Sequence, residues 1–442
     1  MNAQFWIATA IFIVAYILII TEKVHKTVVA LSGASLMLLL GVLTQHEAFN
    51  VEELGVDWNV IFLLLSMMII VDLMKPTGVF EYVAIKSAKM GRGSPVKILA
   101  IFAVVTAIAS AFLDNVTTVL LIAPVTLHIA DALEVDPIPF LISCALASNI
   151  GGTATLIGDP PNIMIGSRAG LDFMAFIYNL APVIILILAV YLVMAKMMWG
   201  RMLKTREELK ARIMALDERE AIKDRPLLIK SLAVLGAVMV GFVLHGRLGL
   251  QPATVALSGA ALMLLLARRD EPSDSLLAVE WSTLFFFIGL FIIIGGVVKV
   301  GLIGWLSVQV LHLTHGNFLG TSMLVMWFSA FASALIDNIP FVATMNPLII
   351  DMARQIWPNL SGTALLHQPQ LLPIWWSLAL GACLGGNGTA IGASANVIVL
   401  GMSEKMGKKI SFSRFMLYGM PVMLMSVAVS SLYVWLRYFF FK

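Results

Sequence analysis

Two Asp-Asn pairs sit inside otherwise apolar stretches, one in Ser110-Ala-Phe-Leu-Asp-Asn-Val-Thr-Thr118 and one in Ser333-Ala-Leu-Ile-Asp-Asn-Ile-Pro-Phe341, 223 positions apart. A carboxylate at membrane depth costs about 2.5–3.5 kcal/mol even on the lenient insertion scale, so a repeated one marks a pathway for protons, ions or a small solute. Asn115 and Asn338 can each donate and accept, and Thr117 and Thr118 add hydroxyls after the first pair. Two solvated loop aspartates are the alternative reading. The apolar runs on both sides of each pair argue against it.

A second element, Asn149-Ile-Gly-Gly-Thr-Ala-Thr-Leu-Ile-Gly-Asp-Pro-Pro-Asn162, is matched by Leu384-Gly-Gly-Asn-Gly-Thr-Ala-Ile-Gly-Ala-Ser-Ala-Asn396. Paired glycines, prolines and hydroxyls within one span predict an unwound break, although small residues also serve close helix packing. Packing has no use for a carboxylate, so Asp159 favours a functional break. Its counterpart is Ala393, so the two copies are not chemically equivalent, which suits one coupled-ion locus better than two. Asp114, Asp159 and Asp337 have no lysine or arginine in their own segments. Buried carboxylates without a cation beside them favour proton or cation coupling over a multiply charged anion.

Other chemistry is absent from the sequence. Asn115-Val-Thr117 matches a glycosylation triplet but lies in an apolar stretch, and the seven histidines form no His-Glu-x-x-His pair or close ligand set. His128 reads as a packed or surface histidine, and Asp72 as an interfacial partner of Lys75. Cys144 and Cys383 give neither a disulfide framework nor a zinc pattern. No phosphate-binding loop, nucleophile–base pair or metal set is present, so neither an enzyme nor a cofactor is expected.

Positioning these groups is a task for membrane helices. The chain is 60% hydrophobic and 12% charged, with a mean hydropathy of +0.94, outside the soluble range. The run from Phe5 to Ile20 reads as a retained helix, without a cleavable signal's basic flank or processing site. At about 20 residues per span, the first half gives spans near 5–21, 27–44, 58–74, 138–165 and 173–199, with 95–133 a re-entrant hairpin broken at Asp114-Asn115. The second half repeats the order at 228–244, 253–267, 281–298, a hairpin over 321–354, then 373–403 and 413–440. Val29-Ala-Leu-Ser-Gly-Ala34 matches Val255–Ala260, Asp57-Trp58 matches Glu280-Trp281, and Gly151, Gly152, Gly158 and Asn162 match Gly385, Gly386, Gly392 and Asn396 at a constant offset of 234.

Five spans per copy is an odd number, so the second repeat is inverted relative to the first, as in many secondary transporters with a midplane site between broken helices. The expected fold is an all-α membrane protein of about ten transmembrane helices, two re-entrant hairpins and two broken helices. The repeats occupy 1–200 and 227–442 around a polar linker at 201–226, with the broken helices near 138–170 and 373–403. A helix ending at mid-membrane leaves backbone groups that only protein, water or ligand can satisfy, so the tips face a cavity. Such a tip can hold a polyol-like solute, an anion or a cation, and its geometry alone does not choose. Pro340 suits a new helix start.

Basic residues segregate between alternate loops. Lys23, Lys26, Lys75, Lys86, Lys89, Arg92, Lys97, the linker, Arg268, Arg269, Lys405, Lys408, Lys409 and Arg414 fall on one side. Arg168, Arg247, Lys299, Arg354, Arg437 and Lys442 fall on the other, whose first loop carries Glu47, Glu52, Glu53 and Asp57. The positive-inside rule then places the linker in the cytoplasm and both termini outside, in the cell membrane. The net charge of +3 reports this asymmetry and gives no reason to invoke nucleic acid.

Asp-Asn-Val-Thr-Thr and Gly-Thr-Ala-Thr-Leu-Ile-Gly-Asp-Pro-Pro-Asn resemble motifs of the arsenite permease and sodium–proton antiporter family (ArsB/NhaD) of the ion-transporter superfamily, closest to the branch with the melanosomal P protein. The likeness covers essentially the whole chain. It implies a scaffold built from the first three spans of each half and a transport unit built from the hairpins and broken helices. It also makes a homodimer and a soluble ATPase partner compatible with the chain. Carboxylate carriers of the superfamily have Ser-Asn-Thr tips, whereas these tips read Leu-Asp-Asn and Ile-Asp-Asn.

The expected function is proton-coupled efflux of arsenite or antimonite by alternating access. Asn115, Thr117, Thr118, Thr155, Asn162, Asn338, Thr389 and Asn396 are the candidate solute-binding residues, and Asp114, Asp337 and Asp159 the proton sites, with no resident metal. A sodium–proton antiporter using the same residues is the nearest alternative, and anion transport a further one.

Overall fold

The computed structural model describes residues 3–21, 23–51, 53–267 and 273–441, which are helical with no strand among them. Glu52, Arg268, Arg269 and Lys442, which entered the charge asymmetry, lie outside the described residues. The first half runs α1 (Ala3–Thr21), α2 (Lys26–Leu39), a short α3 (Gln45–Asn50), α4 (Trp58–Met74), α5 (Val79–Met90), the hairpin α6 (Pro95–Phe112) and α7 (Asn115–Ala132), α8 (Ile138–Gly152), α9 (Pro160–Ala169) and α10 (Phe173–Trp199). The linker carries α11 (Glu207–Met214). The second half runs α12 (Arg225–Leu248), α13 (Pro252–Ala267), a short α14 (Ser273–Leu277), α15 (Trp281–Lys299), α16 (Leu302–Thr314), the hairpin α17 (Phe318–Leu335) and α18 (Asn338–Ile356), a short α19 (Gly362–Leu366), α20 (Leu372–Gly385), α21 (Ser394–Lys405) and α22 (Phe412–Trp435). Among the described residues, nine helices are long and apolar enough to cross a membrane, and α2, α8, α13 and α16 are shorter apolar helices. This is a multi-pass membrane protein.

Besides the short α3, α14 and α19, two longer helices lie outside the expected spans. Val79–Met90 and Leu302–Thr314 occupy matching places between the third span and the hairpin of each half. The first, rich in lysine on one side, reads in sequence as a charged loop. Gly78 and Gly301, at φ +78° and +86°, make the turn into each one, a left-handed conformation that glycine adopts at little cost.

Contacts establish the inversion. At the start of α2, the Thr27 hydroxyl donates to the Ser282 carbonyl (2.8 Å) at the start of α15. At the other end of α15, Lys299 pairs with Glu47 (2.7 Å), in the segment leading into α4. So α15 begins where α4 ends, and these repeat-related helices run in opposite directions. The linker marks one face, because Lys223 donates its N–H to the Thr77 carbonyl (3.1 Å) just past α4. The first hairpin opens on this linker face, where Thr205 donates to the Leu133 carbonyl (2.7 Å). The second opens on the far face, where Arg354 pairs with Glu53 (2.6 Å) ahead of α4.

Glycines bring each hairpin onto its broken helix. A Cβ on Gly151 would lie 2.0 Å from the Ala107 carbonyl oxygen of α6, and one on Gly385 would lie 2.6 Å from the Ala330 carbonyl oxygen of α17. The paired glycines thus serve packing, and the unwinding anticipated from them begins just beyond, at residues 153–159 and 389–393.

Candidate functional site

Each broken helix resumes under an asparagine that repairs the break. The Asn162 amide donates to the carbonyls of Thr153 (3.1 Å) and Thr155 (2.8 Å). Asn396 does the same for Gly386 and Thr389, both at 2.8 Å. The Thr155 hydroxyl donates to the Ala111 carbonyl (2.5 Å), and Thr389 to the Ala334 carbonyl, which ties each break to the end of its hairpin's first helix. Unpaired backbone carbonyls at this depth would cost several kcal/mol each, so these side chains make the break sustainable.

Asp114 and Asp337 cap the returning helices. Asp114 accepts the Thr117 N–H (2.9 Å) and Asp337 the Ile339 N–H (3.2 Å). Asp159 stands at the equivalent cap position of α9 but makes no side-chain cap. Pro160 and Pro161 have no N–H to offer, and the Asn162 N–H goes to the Asp159 backbone carbonyl (2.9 Å). Its carboxylate is therefore free to face the hairpin tips. Asn115 donates to Oδ1 at 3.2 Å and Asn338 to both oxygens at 3.4 Å, so the tips of the two opposed hairpins meet on one fully buried carboxylate.

An asparagine network lies behind this crossing. Asn115 also donates to Asn149 Oδ1 (3.2 Å), and Asn149 donates onward to Asn387 (3.0 Å) and Asn396 (3.1 Å) across the repeat interface. Cys383 donates to Asn162 Oδ1 (3.5 Å). The notable sequence signal for Asn149 and Asn387 was an amide inside an apolar span.

A cavity of about 880 Å³ reaches from Val24 and Trp281, at the linker face, to Asp159. Asp114, Asn115, Asp337, Asn338, Glu280 and Ser394 line it. Lys26 also lines it, and its ammonium lies 2.7 Å from Asp337 Oδ2 and 3.2 Å from Ser394 Oγ. Sequence reasoning had placed Lys26 among the charges of the basic face. The pairing corrects the expectation that Asp337 has no cation beside it. Burial first, and then the charge of Asp114, push the Glu280 carboxyl above its ordinary range.

Of the eight candidate binding residues, Asn115 and Asn338 line this cavity. Thr117 and Thr118, two and three positions after Asn115 in α7, are buried outside its lining, and Thr155, Asn162, Thr389 and Asn396 lie behind its wall holding the breaks. A second cavity of about 1000 Å³ opens on the far face, lined by Leu63, Met164, Arg168, Asn346 and Trp376 among others and by none of the three aspartates. Asp159 is thus reached from the linker face.

Opposed hairpins meeting at a buried ionisable residue beneath a one-sided cavity are the architecture of a membrane transporter rather than an enzyme. The comparisons agree: the chain matches the citrate transporter (CitMHS) family over residues 16–381 and belongs to it, within the superfamily of the arsenite permeases and sodium–proton antiporters. It is 47% identical over 433 residues to an uncharacterized transporter of Mycobacterium tuberculosis, with 98% of each chain covered. It is 34% identical to the P protein of Mus musculus over 98% of this chain, which spans 60% of that longer protein. The Alcanivorax borkumensis YdaH transporter shares the fold, with a TM-score of 0.58 at 12% identity over 90% of this chain and 87% of that one.

Proposed function

We propose that the chain is a proton-coupled carrier of a small uncharged hydroxylated solute, with arsenite and antimonite as the specific candidates, working by alternating access. The observation that carries this reading is the charge of the linker-face cavity. Asp114, Asp159, Asp337 and Glu280 line it against one lysine, Lys26, itself paired, and His25. A citrate-like polyanion would meet repulsion there, so the description attached to the family does not transfer its substrate to this chain. Arsenite is an uncharged trihydroxide at neutral pH, which the carboxamides of Asn115 and Asn338 can hold by hydrogen bonds.

Coupling follows from Asp159 being shared. A proton on Asp159 removes the buried charge that both tip asparagines stabilise, and a solute hydroxyl can take over those amide donors. Competition between proton and solute for one set of partners is the elementary requirement of exchange. In the cell membrane with the linker cytoplasmic, this would export the solute against inward proton flow.

The test is uptake into proteoliposomes under an imposed proton gradient. Gradient-driven arsenite movement that Asp159→Asn abolishes supports the reading; sodium movement with no arsenite movement replaces it with sodium–proton antiport. The cluster of carboxylates in one cavity is what keeps that second reading in view.

A further inference from the structure

We infer that Lys26 and Arg168 are positioning residues that hold the carrier in its linker-face-open state, and that the opposite state has no equivalent hold. Both join the frame of α2 and α4 to the unit of hairpins and broken helices. Lys26, at the start of α2, binds Asp337 at the second tip (2.7 Å), shares Ser394 with it at 3.2 Å, and lies 5.1 Å from the centre of the Phe286 ring. Arg168, near the end of α9, lies 3.6 Å from Asp57 at the start of α4, and the neighbouring Ser167 hydroxyl donates to the same carboxylate oxygen (2.7 Å).

The internal repeat reveals what the other state lacks. In an inverted-repeat carrier the two states exchange the environments of the two halves, so each contact made now by one repeat should be made in the opposite state by the matching residues of the other. For Asp337 the match is Asp114. The position matching Lys26, at the offset of 226 that aligns Val29 with Val255, is Pro252, and that matching Ser394, at the offset of 234, is Pro160. Thus the first tip would find two prolines where the second finds an ammonium and a hydroxyl. The far-face contact behaves the same way, since Asp57 corresponds to Glu280, but Ser167 and Arg168 correspond to Gly401 and Met402. Two contacts in two places lose their cation under the same exchange, so the linker-face-open state is favoured and the return step must break both pairs.

Leu63 and Leu64, adjacent on α4, line the far-face and linker-face cavities respectively. Cysteine substitutions there report the state through their rates of labelling by a hydrophilic maleimide in nanodiscs, against a low background from the buried Cys144 and Cys383. The ratio of Leu64→Cys to Leu63→Cys labelling should fall at least fivefold on adding Lys26→Met and recover with Lys26→Arg. Pro252→Lys in the chain that retains Lys26 should also lower it, by giving Asp114 a partner in the opposite state. A ratio that stays within twofold of native in the Pro252→Lys chain overturns the inference, whatever the folding yield of Lys26→Met. Labelling reads the state without any solute, so failure of arsenite transport would leave this inference standing.

Discussion

Asn338 donates to both carboxylate oxygens of Asp159 at 3.4 Å, although the two residues belong to different halves of the chain and are 179 positions apart. The contact ties the second hairpin tip directly to a carboxylate of the first repeat.

Asp159→Asn should abolish gradient-driven transport while leaving the fold intact. The substituted amide is isosteric and can still accept from Asn115 and Asn338, and it removes a charge that is costly to bury. Loss of transport by at least 100-fold, with thermal stability equal to or above native at neutral pH, is the expected result in proteoliposomes and by differential scanning fluorimetry.

Substitutions separate the capping contact of Asp114 from the proton role proposed for it. Asparagine keeps the cap on the Thr117 N–H, whereas alanine loses it at about 1 kcal/mol. Both should lose proton coupling, but only Asp114→Ala should lower the unfolding temperature. Retained coupling in Asp114→Asn would confine this residue to capping.

Asn162→Ala and Asn396→Ala should act on stability first. Each strips the donor from two backbone carbonyls at a helix break, at a cost of about 1–3 kcal/mol per buried group left unpaired. Expression and melting temperature should drop, while the apparent affinity for solute measured on the surviving folded protein stays within about twofold of native.

The far-face loop has its own acid sensitivity. The pair with Lys299, helped by the N–H and hydroxyl of Thr44, holds the Glu47 carboxyl at about 2, below its ordinary 4.5. Because the folded value is the lower one, the stabilisation is complete above about 4.5 and fades as pH falls towards about 2. Glu47→Gln should therefore be less stable than native at pH 6, with the difference closing on acidification across that window. Adding salt should shrink it as well.

Much of this arrangement was legible in the chain because membranes leave few options. Length and apolarity give the spans, and a polar break inside an apolar run has to be either a hairpin tip or an unwound helix, which located Asp114, Asp337 and the glycine-rich segments. The inversion followed from counting an odd number of spans. Three features were hidden for physical reasons. The α5 and α16 helices are short, and lysines disguise α5 as a loop. Lys26 meets Asp337 from 311 positions away, a distance no local pattern reports. Thr155, Thr389, Asn162 and Asn396 carry groups equally suited to a solute or to a backbone carbonyl, and only the folded structure shows that each holds a carbonyl here.

Asp159 facing Ala393 makes the two halves of the chain complementary rather than interchangeable. Expressed as separate polypeptides, a first half and a second half could assemble a complete crossing, whereas two second halves would bring their tips together over alanine, with no carboxylate beneath the tip asparagines. Two first halves would force a pair of Asp159 carboxylates under the same tips. The molecule therefore resembles a heterodimer whose subunits share one backbone, and the covalent join enforces the one pairing that leaves a single carboxylate shared by both tip asparagines.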